Sequence, residues 1–285
     1  MQFIPKVPDE SLNVTKYSPL RDLFFFLSVL LGTLIAIYLI LGLAVDEIVN
    51  RISPTDEFKI FKSYQNFSLD KVDASRSAEL QKLLDRLKQS DPELKDLPLK
   101  IEVERGETPN AFALPGGKII VLGGLLKDMD SENELAFVLG HEIGHFKNRD
   151  HLRSLGRGLV FAIVAGLFSG DRYSALAAGS TAEIAQTKYS QGQELAADHY
   201  GLMLLEKTYG HIGGAADFFD KQVKSDHHGK VEYFFASHPH PKERIIALKN
   251  LIEHEHFKKL KLKPLSSVLI DNDPKVLVHS EPKQK

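Results

Sequence analysis

The feature that most restricts this chain is a run of 23 uncharged, mostly apolar residues, 23–45, closed by Arg21 and Asp22 on one side and by Asp46 and Glu47 on the other. A helix rises about 1.5 Å per residue, so a run of this length crosses a hydrocarbon core of about 30 Å with some tilt to spare. The run therefore predicts a transmembrane helix. A cleaved signal peptide is the competing reading, but the apolar stretch is too long, begins 22 residues in, and shows no small-residue cleavage pattern before Asp46. A buried soluble helix of this length would carry a polar face. Basic residues flank the span evenly, Lys16 and Arg21 before it and Arg51 and Lys59 after it; Lys6 tips the balance toward a cytoplasmic N-terminus. The expectation is a single-pass protein of a bacterial-type inner membrane with its larger part extracytoplasmic.

With 285 residues the chain has room for one main domain plus accessory segments. Its 36 Lys and Arg nearly balance 38 Asp and Glu, so it lacks the basic footprint that nucleic acid requires. There is no Cys, which removes disulfides and thiolate chemistry and leaves His, Asp and Glu as the strong metal ligands. The chain divides into an N-terminal segment 1–22, the anchor 23–45, a juxtamembrane linker 46–72, a main domain 73–258 and a polar surface extension 259–285.

Residues 73–90 place Leu80, Leu83, Leu84 and Leu87 at helical spacing and end before Asp91-Pro92. Residues 99–104 alternate apolar and charged side chains, and residues 111–114 and 118–122 flank a Pro115-Gly116-Gly117 turn. These predict strands of a small antiparallel sheet. Residues 131–209 and 241–256 read as helical, so the fold class is α+β, mostly helical. Residues 158–170 are uncharged but too few to span a bilayer. With the apolar stretch 173–182 they predict a helical hairpin packed on the domain, in preference to a loop dipping into the membrane interface.

Ser131 and Glu134 have the spacing of a capping box, which starts a helix. Along that helix His141 and His145 fall at i and i+4, stacked on one side, so two imidazoles can meet one metal ion. Glu142 flanks that metal without binding it, where a general base for water belongs. Five residues of this kind can also occur by chance on a solvated helix. Zinc in a catalytic site needs a third protein ligand and an open position. Glu194, 49 residues after His145, can supply the ligand from a second helix, and Asp198 at i+4 can orient a ligating histidine.

Four segments carry a resemblance to a known family: 110–117 (Asn-Ala-Phe-Ala-Leu-Pro-Gly-Gly), 141–145 (His-Glu-Ile-Gly-His), 193–198 (Gln-Glu-Leu-Ala-Ala-Asp) and 237–244 (Ser-His-Pro-His-Pro-Lys-Glu-Arg). The chain resembles the gluzincin metallopeptidases of the HtpX and CAAX prenyl endopeptidase type, metallopeptidase family forty-eight. The resemblance implies a zincin-like domain holding one Zn2+ through His141, His145 and Glu194, with Glu142 as catalytic base and Asp198 in support. It also implies polypeptide substrates, taken up as an added strand along Asn110, Ala111, Phe112 and Ala113; the structural alternative is half a hairpin packing Phe112 and Leu114. HtpX and the prenyl endopeptidases have several transmembrane helices, whereas this chain shows one span. It therefore looks closer to single-span envelope quality-control proteases.

His238, with Arg244 in support, is the candidate for steadying the oxyanion of amide hydrolysis, or for occupying the open metal position at rest; a plain turn histidine is the alternative. His151, His227, His228, His254 and His256 read as solvated surface residues, and His240 is left open. A zinc endopeptidase of misfolded or membrane-associated proteins is the leading expectation, with a chaperone-like protein of latent proteolysis as the alternative. Partners are thus polypeptides and a lipid bilayer; oligomeric state is not legible.

Overall fold

A computed structural model of the chain describes residues 18–68, 70–169, 189–215, 217–218, 238–239, 241–254 and 260–270. It opens with α1, Pro19–Arg51, a helix of 33 residues with Pro19 at its start. Its most apolar window has a mean hydropathy of 2.6 and none of it is buried, so α1 is long and apolar enough to cross a membrane. Leu39, Ile40 and Leu43 are each more than half exposed, as lipid-facing side chains would be.

Residues 46–72 were expected to form a linker, but they are folded onto the domain. α1 continues through them to Arg51; α2, Pro54–Ile60, and a 3-10 helix, Lys62–Asn66, follow. Ser53 caps α2 by accepting the Asp56 amide. α2 buries Phe58, whose ring lies 5.9 Å from that of Phe146, and Glu57, which is 1% exposed. One Glu57 oxygen accepts from His151 Nε2 at 2.8 Å and from the Gly116 amide at 3.1 Å. His151 is thus a core residue stacked on Phe146, and its expected place on the surface is corrected. Its neighbour Asp150 reads as polar in sequence, and nothing in local spacing announces a partner 94 positions away.

α3, Ala74–Gln89, is capped by Asp73 and buries Leu80, Leu83, Leu84 and Leu87, the predicted face. Three strands follow: β1, Lys100–Glu104; β2, Ala111–Leu114; and β3, Lys118–Leu122. The sheet order is β1-β3-β2. β2 and β3 form the expected antiparallel hairpin, but β1 runs parallel to β3, so the sheet is mixed rather than wholly antiparallel. The cause is the continuous run Ile119-Ile120-Val121, buried on both faces, which takes the centre of the sheet. The hairpin turns at Gly116 and Gly117, with φ of +82° and +78°. A Cβ at Gly117 would lie 2.0 Å from the Phe58 ring, so α2 is pressed directly on this turn.

After the short helix α4, Gly123–Lys127, comes α5, Glu132–Lys147. Ser131 caps it by accepting the Glu134 amide at 3.2 Å, while the Glu134 carboxylate accepts the Asp130 amide. α6, Asp150–Ser169, leaves at once and packs on α1: Arg157 pairs with Asp46, and Arg149 donates to the Val49 carbonyl. These contacts come from α6 residues before 158; residues 158–169 of the predicted hairpin continue the same helix, and residues 170–182 lie outside the described residues. α7, Gln191–Tyr209, has a full capping box at Ser190 and ends at Gly210; α8, Pro241–His254, and α9, Ser267–Ile270, complete the described helices. The described part of the expected surface extension, residues 260–270, is anchored too. The Lys263 carbonyl accepts the Glu132 amide, the Lys263 amide donates to Asn133 Oδ1, and Leu265 and Leu269 are buried.

α5 and α7 form the centre of the domain. A Cβ at Gly140 would come 3.0 Å from the Gly201 Cα, and one at Gly144 would come 2.9 Å from the Ala197 Cα. The two helices therefore meet backbone to backbone. Because Phe58 fills a site bounded by Phe146 and Gly117, Phe58→Ala is expected to destabilise the detergent-solubilised full chain by about 3–5 kcal/mol. Chemical denaturation followed by circular dichroism would read it, and an unchanged midpoint would show that α2 is dispensable.

Candidate metal centre

His141 and His145 project from α5, Glu194 and Asp198 from α7, and His238 and Arg244 come from the entry and body of α8. The close contact of α5 with α7 sets the first four face to face. His141 Nε2 and His145 Nε2 are 3.1 Å apart. The Glu194 carboxylate lies 3.6 Å from the first and 3.4 Å from the second. His238 Nδ1 lies 3.2 Å from His141 Nε2 and 3.1 Å from Glu194. One donor atom from each of His141, His145, Glu194 and His238 thus falls within 4.8 Å of the others, and all four residues are buried. Three ring nitrogens and a carboxylate converging on one point is a set of ligands for a borderline-soft cation such as zinc.

The two imidazoles of α5 are each oriented from behind. His141 Nδ1 donates to Asp198 at 2.8 Å, which leaves Nε2 with its lone pair toward the centre. His145 Nδ1 donates in the same way to Asp150 at 2.9 Å, and Asp150 in turn accepts from Gln193. The Tyr189 ring stacks on His145 at 3.9 Å. Arg244, fully buried, grips Asp198 through Nε at 2.8 Å and Nη2 at 2.6 Å, and reaches Glu194 through Nη1 at 2.6 Å. Such a bidentate guanidinium fixes carboxylate orientation as well as charge.

The charges of the site are set by burial and by these pairs. Burial alone would raise the Asp198 carboxyl, but Arg244 beside it holds it below the ordinary range. Glu194 is likewise held well below, its desolvation overcome by His238 and His145. Burial drives His141 down to about 3, so its ring is neutral and able to ligate. Glu142 differs: burial raises its carboxyl, and it lies 3.4 Å from His238 Nε2. The Ala113 backbone of β2 lies beside it but makes no hydrogen bond to either carboxylate oxygen. Four buried carboxylates, Glu142, Asp150, Glu194 and Asp198, stand around the three imidazoles with a single guanidinium among them. This excess of negative charge in a dry interior is what a divalent cation would neutralise.

The profile of peptidase family M48 matches residues 74–252. The chain belongs to peptidase family M48. Zinc is the metal that this family uses. The mitochondrial metalloendopeptidase OMA1 of Arabidopsis thaliana is 32% identical over 50% of this chain, which spans 30% of that protein. The metalloproteases LoiP and YcaL of Escherichia coli are each 31% identical, over 52% and 60% of this chain and 60% and 69% of their own lengths. The chain thus spans only about a third of the plant relative.

His141, Glu142, His145, Glu194, Asp198, His238 and Arg244 all lie at this centre. Asn110 opens β2 by accepting the Ala111 amide, and Ala111, Phe112 and Ala113 form the sheet edge next to Glu142, all three buried. Ser237 and His240, like His227, His228 and His256, lie outside the described residues. Asp150 and Tyr189 were missed. Asp150 sits five residues past His145, which is no helical spacing; Arg149, with φ of 58°, turns the chain back between them. An acid just past a helix whose last turn carries a metal-binding histidine is the one signal that would have found it. Since Asp150 orients His145, Asp150→Ala is expected to weaken zinc binding by about 10–100-fold with helix content unchanged. Competition against a zinc-binding dye would measure it, and equal affinity would show that Asp150 only pairs with Gln193.

Proposed function

We propose that this chain is a membrane-anchored zinc endopeptidase that hydrolyses peptide bonds of misfolded or membrane-associated polypeptides. The observation that carries the reading is Glu142, a fully buried carboxylate beside the cluster of donors and not one of them. A purely structural metal site has no use for it. Zinc held by His141, His145 and Glu194 would acidify a water and polarise the scissile carbonyl. Glu142, its basicity raised by burial, takes the proton from the attacking water and delivers it to the leaving amine. Asp198 and Asp150 keep both imidazoles aimed, and Arg244 keeps Glu194 and Asp198 ionised. β2 offers its free edge to an extended substrate; backbone-led pairing selects unfolded segments over a tight sequence motif. The names of the relatives as metalloproteases support the same reading.

His238 supports a closed resting state. Its Nδ1 sits among the other donors, so it serves as a fourth protein ligand, and a zinc site with four protein ligands has no open position. Glu142, His145 and the β2 edge are buried as well. This closure favours, as a second reading, a chaperone-like protein whose proteolysis stays latent until His238 withdraws. Glu142→Gln is expected to keep zinc and lose cleavage of an unfolded casein, whereas His238→Ala keeps zinc and raises basal cleavage several-fold. Zinc retention with undiminished turnover in Glu142→Gln would remove the base. A fall of about a hundredfold in His238→Ala would return His238 to oxyanion stabilisation.

The domain is assigned to the extracytoplasmic side on the count of Lys6, Lys16 and Arg21 against Arg51 and Lys59. The fold also brings Arg149, Arg153 and Arg157 to the domain side of α1, where the Val49 and Asn148 carbonyls and Asp46 engage them. The assignment holds if those engaged arginines do not act as free positive charge. Digestion of the domain by protease added to intact spheroplasts is the expected result, and full protection would reverse the orientation.

A further inference from the structure

α6 and α1 run antiparallel where they touch. Arg149 reaches the Val49 carbonyl, Arg153 reaches Asn50, Gly156 meets Val45, and Arg157 pairs with Asp46. The contact is close, since a Cβ at Gly156 would lie 2.4 Å from Val45 Cγ1. At this level the charges stop in both helices. Toward the N-terminus α1 has no charged residue from Val45 back to Leu23, and α6 has none from Gly158 to Ser169, the last of its described residues. Arg157, the last charge described in α6, pairs at 2.9 Å with Asp46, the first charge after the apolar run of α1. Beyond the pair, Phe161 is 66% and Leu159 38% exposed, while Val160 is buried. Apolar side chains aimed outward at this level would be unfavourable in water and favourable in hydrocarbon.

We infer that α6 is a second membrane element: beyond Arg157 it enters the bilayer beside α1, and Phe161 and Leu159 face lipid hydrocarbon. The 12 residues from Gly158 to Ser169 extend about 18 Å, which is little more than half of a hydrocarbon core of about 30 Å. These described residues carry α6 into the hydrocarbon layer. The inference rests on reading α1 as the anchor, and it adds a consequence that an anchor alone lacks. Asp150, which holds His145, precedes Arg157 on the same helix by seven residues, about 10 Å. A lipid-embedded α6 therefore fixes the metal centre at a set, short height above the membrane surface, within reach of polypeptide just emerging from the bilayer.

The chain has no cysteine, so single-cysteine variants of the full chain report cleanly. Leu43→Cys on α1, Phe161→Cys on α6 and Lys82→Cys on the exposed face of α3 would each carry an environment-sensitive fluorophore in phosphatidylcholine vesicles. The expected result is a blue-shifted probe at Phe161, quenched by nitroxide lipids and not by aqueous iodide, matching Leu43, with Lys82 showing the reverse. Zinc content measured on each labelled variant confirms that the domain is folded. Iodide quenching at Phe161 with lipid quenching at Leu43 would overturn the inference and leave the anchor standing. Protection of Phe161 from both quenchers would overturn it too, since protein would then cover that face. Iodide quenching at both Leu43 and Phe161 would remove the anchor itself.

Discussion

The metal centre depends on two helices meeting with nothing between their backbones. Gly140 and Gly144 on α5 lie against Gly201 and Ala197 on α7, with room for no further carbon. Ordinary packing with larger side chains at the contact would hold the axes farther apart. At this distance the face of α5 bearing His141 and His145 and the face of α7 bearing Glu194 and Asp198 share a hydrogen-bonded layer. Neither helix makes a site alone, and the small residues that permit the site carry no chemistry themselves.

That contact buries charge, and the second constraint is how the charge is satisfied. Four carboxylates and a guanidinium lie in an interior nearly free of solvent, where an uncompensated ion is costly. Arg244 solves most of this with one side chain, binding Asp198 with two nitrogens and Glu194 with a third. Asp198 passes the order to His141, and Asp150 does the same for His145 from the opposite end of α5. Glu142 stands outside these arrangements. Burial raises its carboxyl, and its nearest charged partner is His238, 3.4 Å away.

The long apolar helix α1 is joined to this centre through folded structure. α2 follows α1 directly and wedges Glu57 and Phe58 between the β2–β3 turn and the end of α5. Glu57 holds the Gly116 amide and His151, and His151 is the neighbour of Asp150. The segment after α1, the edge strand beside Glu142 and the support of His145 are thus linked through a single buried carboxylate. α6 closes the same circuit from the other direction, since it begins at Asp150 and runs along α1.

Local spacing was enough for α1, for the Leu face of α3, for the Ser131 cap and for the pairing of His141 with His145, because each depends on residues within a few positions of one another. Glu194 and Asp198 were legible from their own i, i+4 spacing together with the family resemblance. The centrality of β3, the burial of His151, the role of Asp150 and the docking of residues 260–270 were not. Each depends on which face of one element meets which face of another, and periodicity reports that a face exists without naming its partner. The sequence alone thus determined a helix long and apolar enough to cross a membrane and a helix carrying two histidines at metal-binding spacing. Only the tertiary structure decided that Arg244 and His238 stand against Glu194, Asp198 and His141 and that α6 lies along α1, because those contacts join residues about 50 to more than 100 positions apart, where packing and charge compensation select the partner and chain proximity does not.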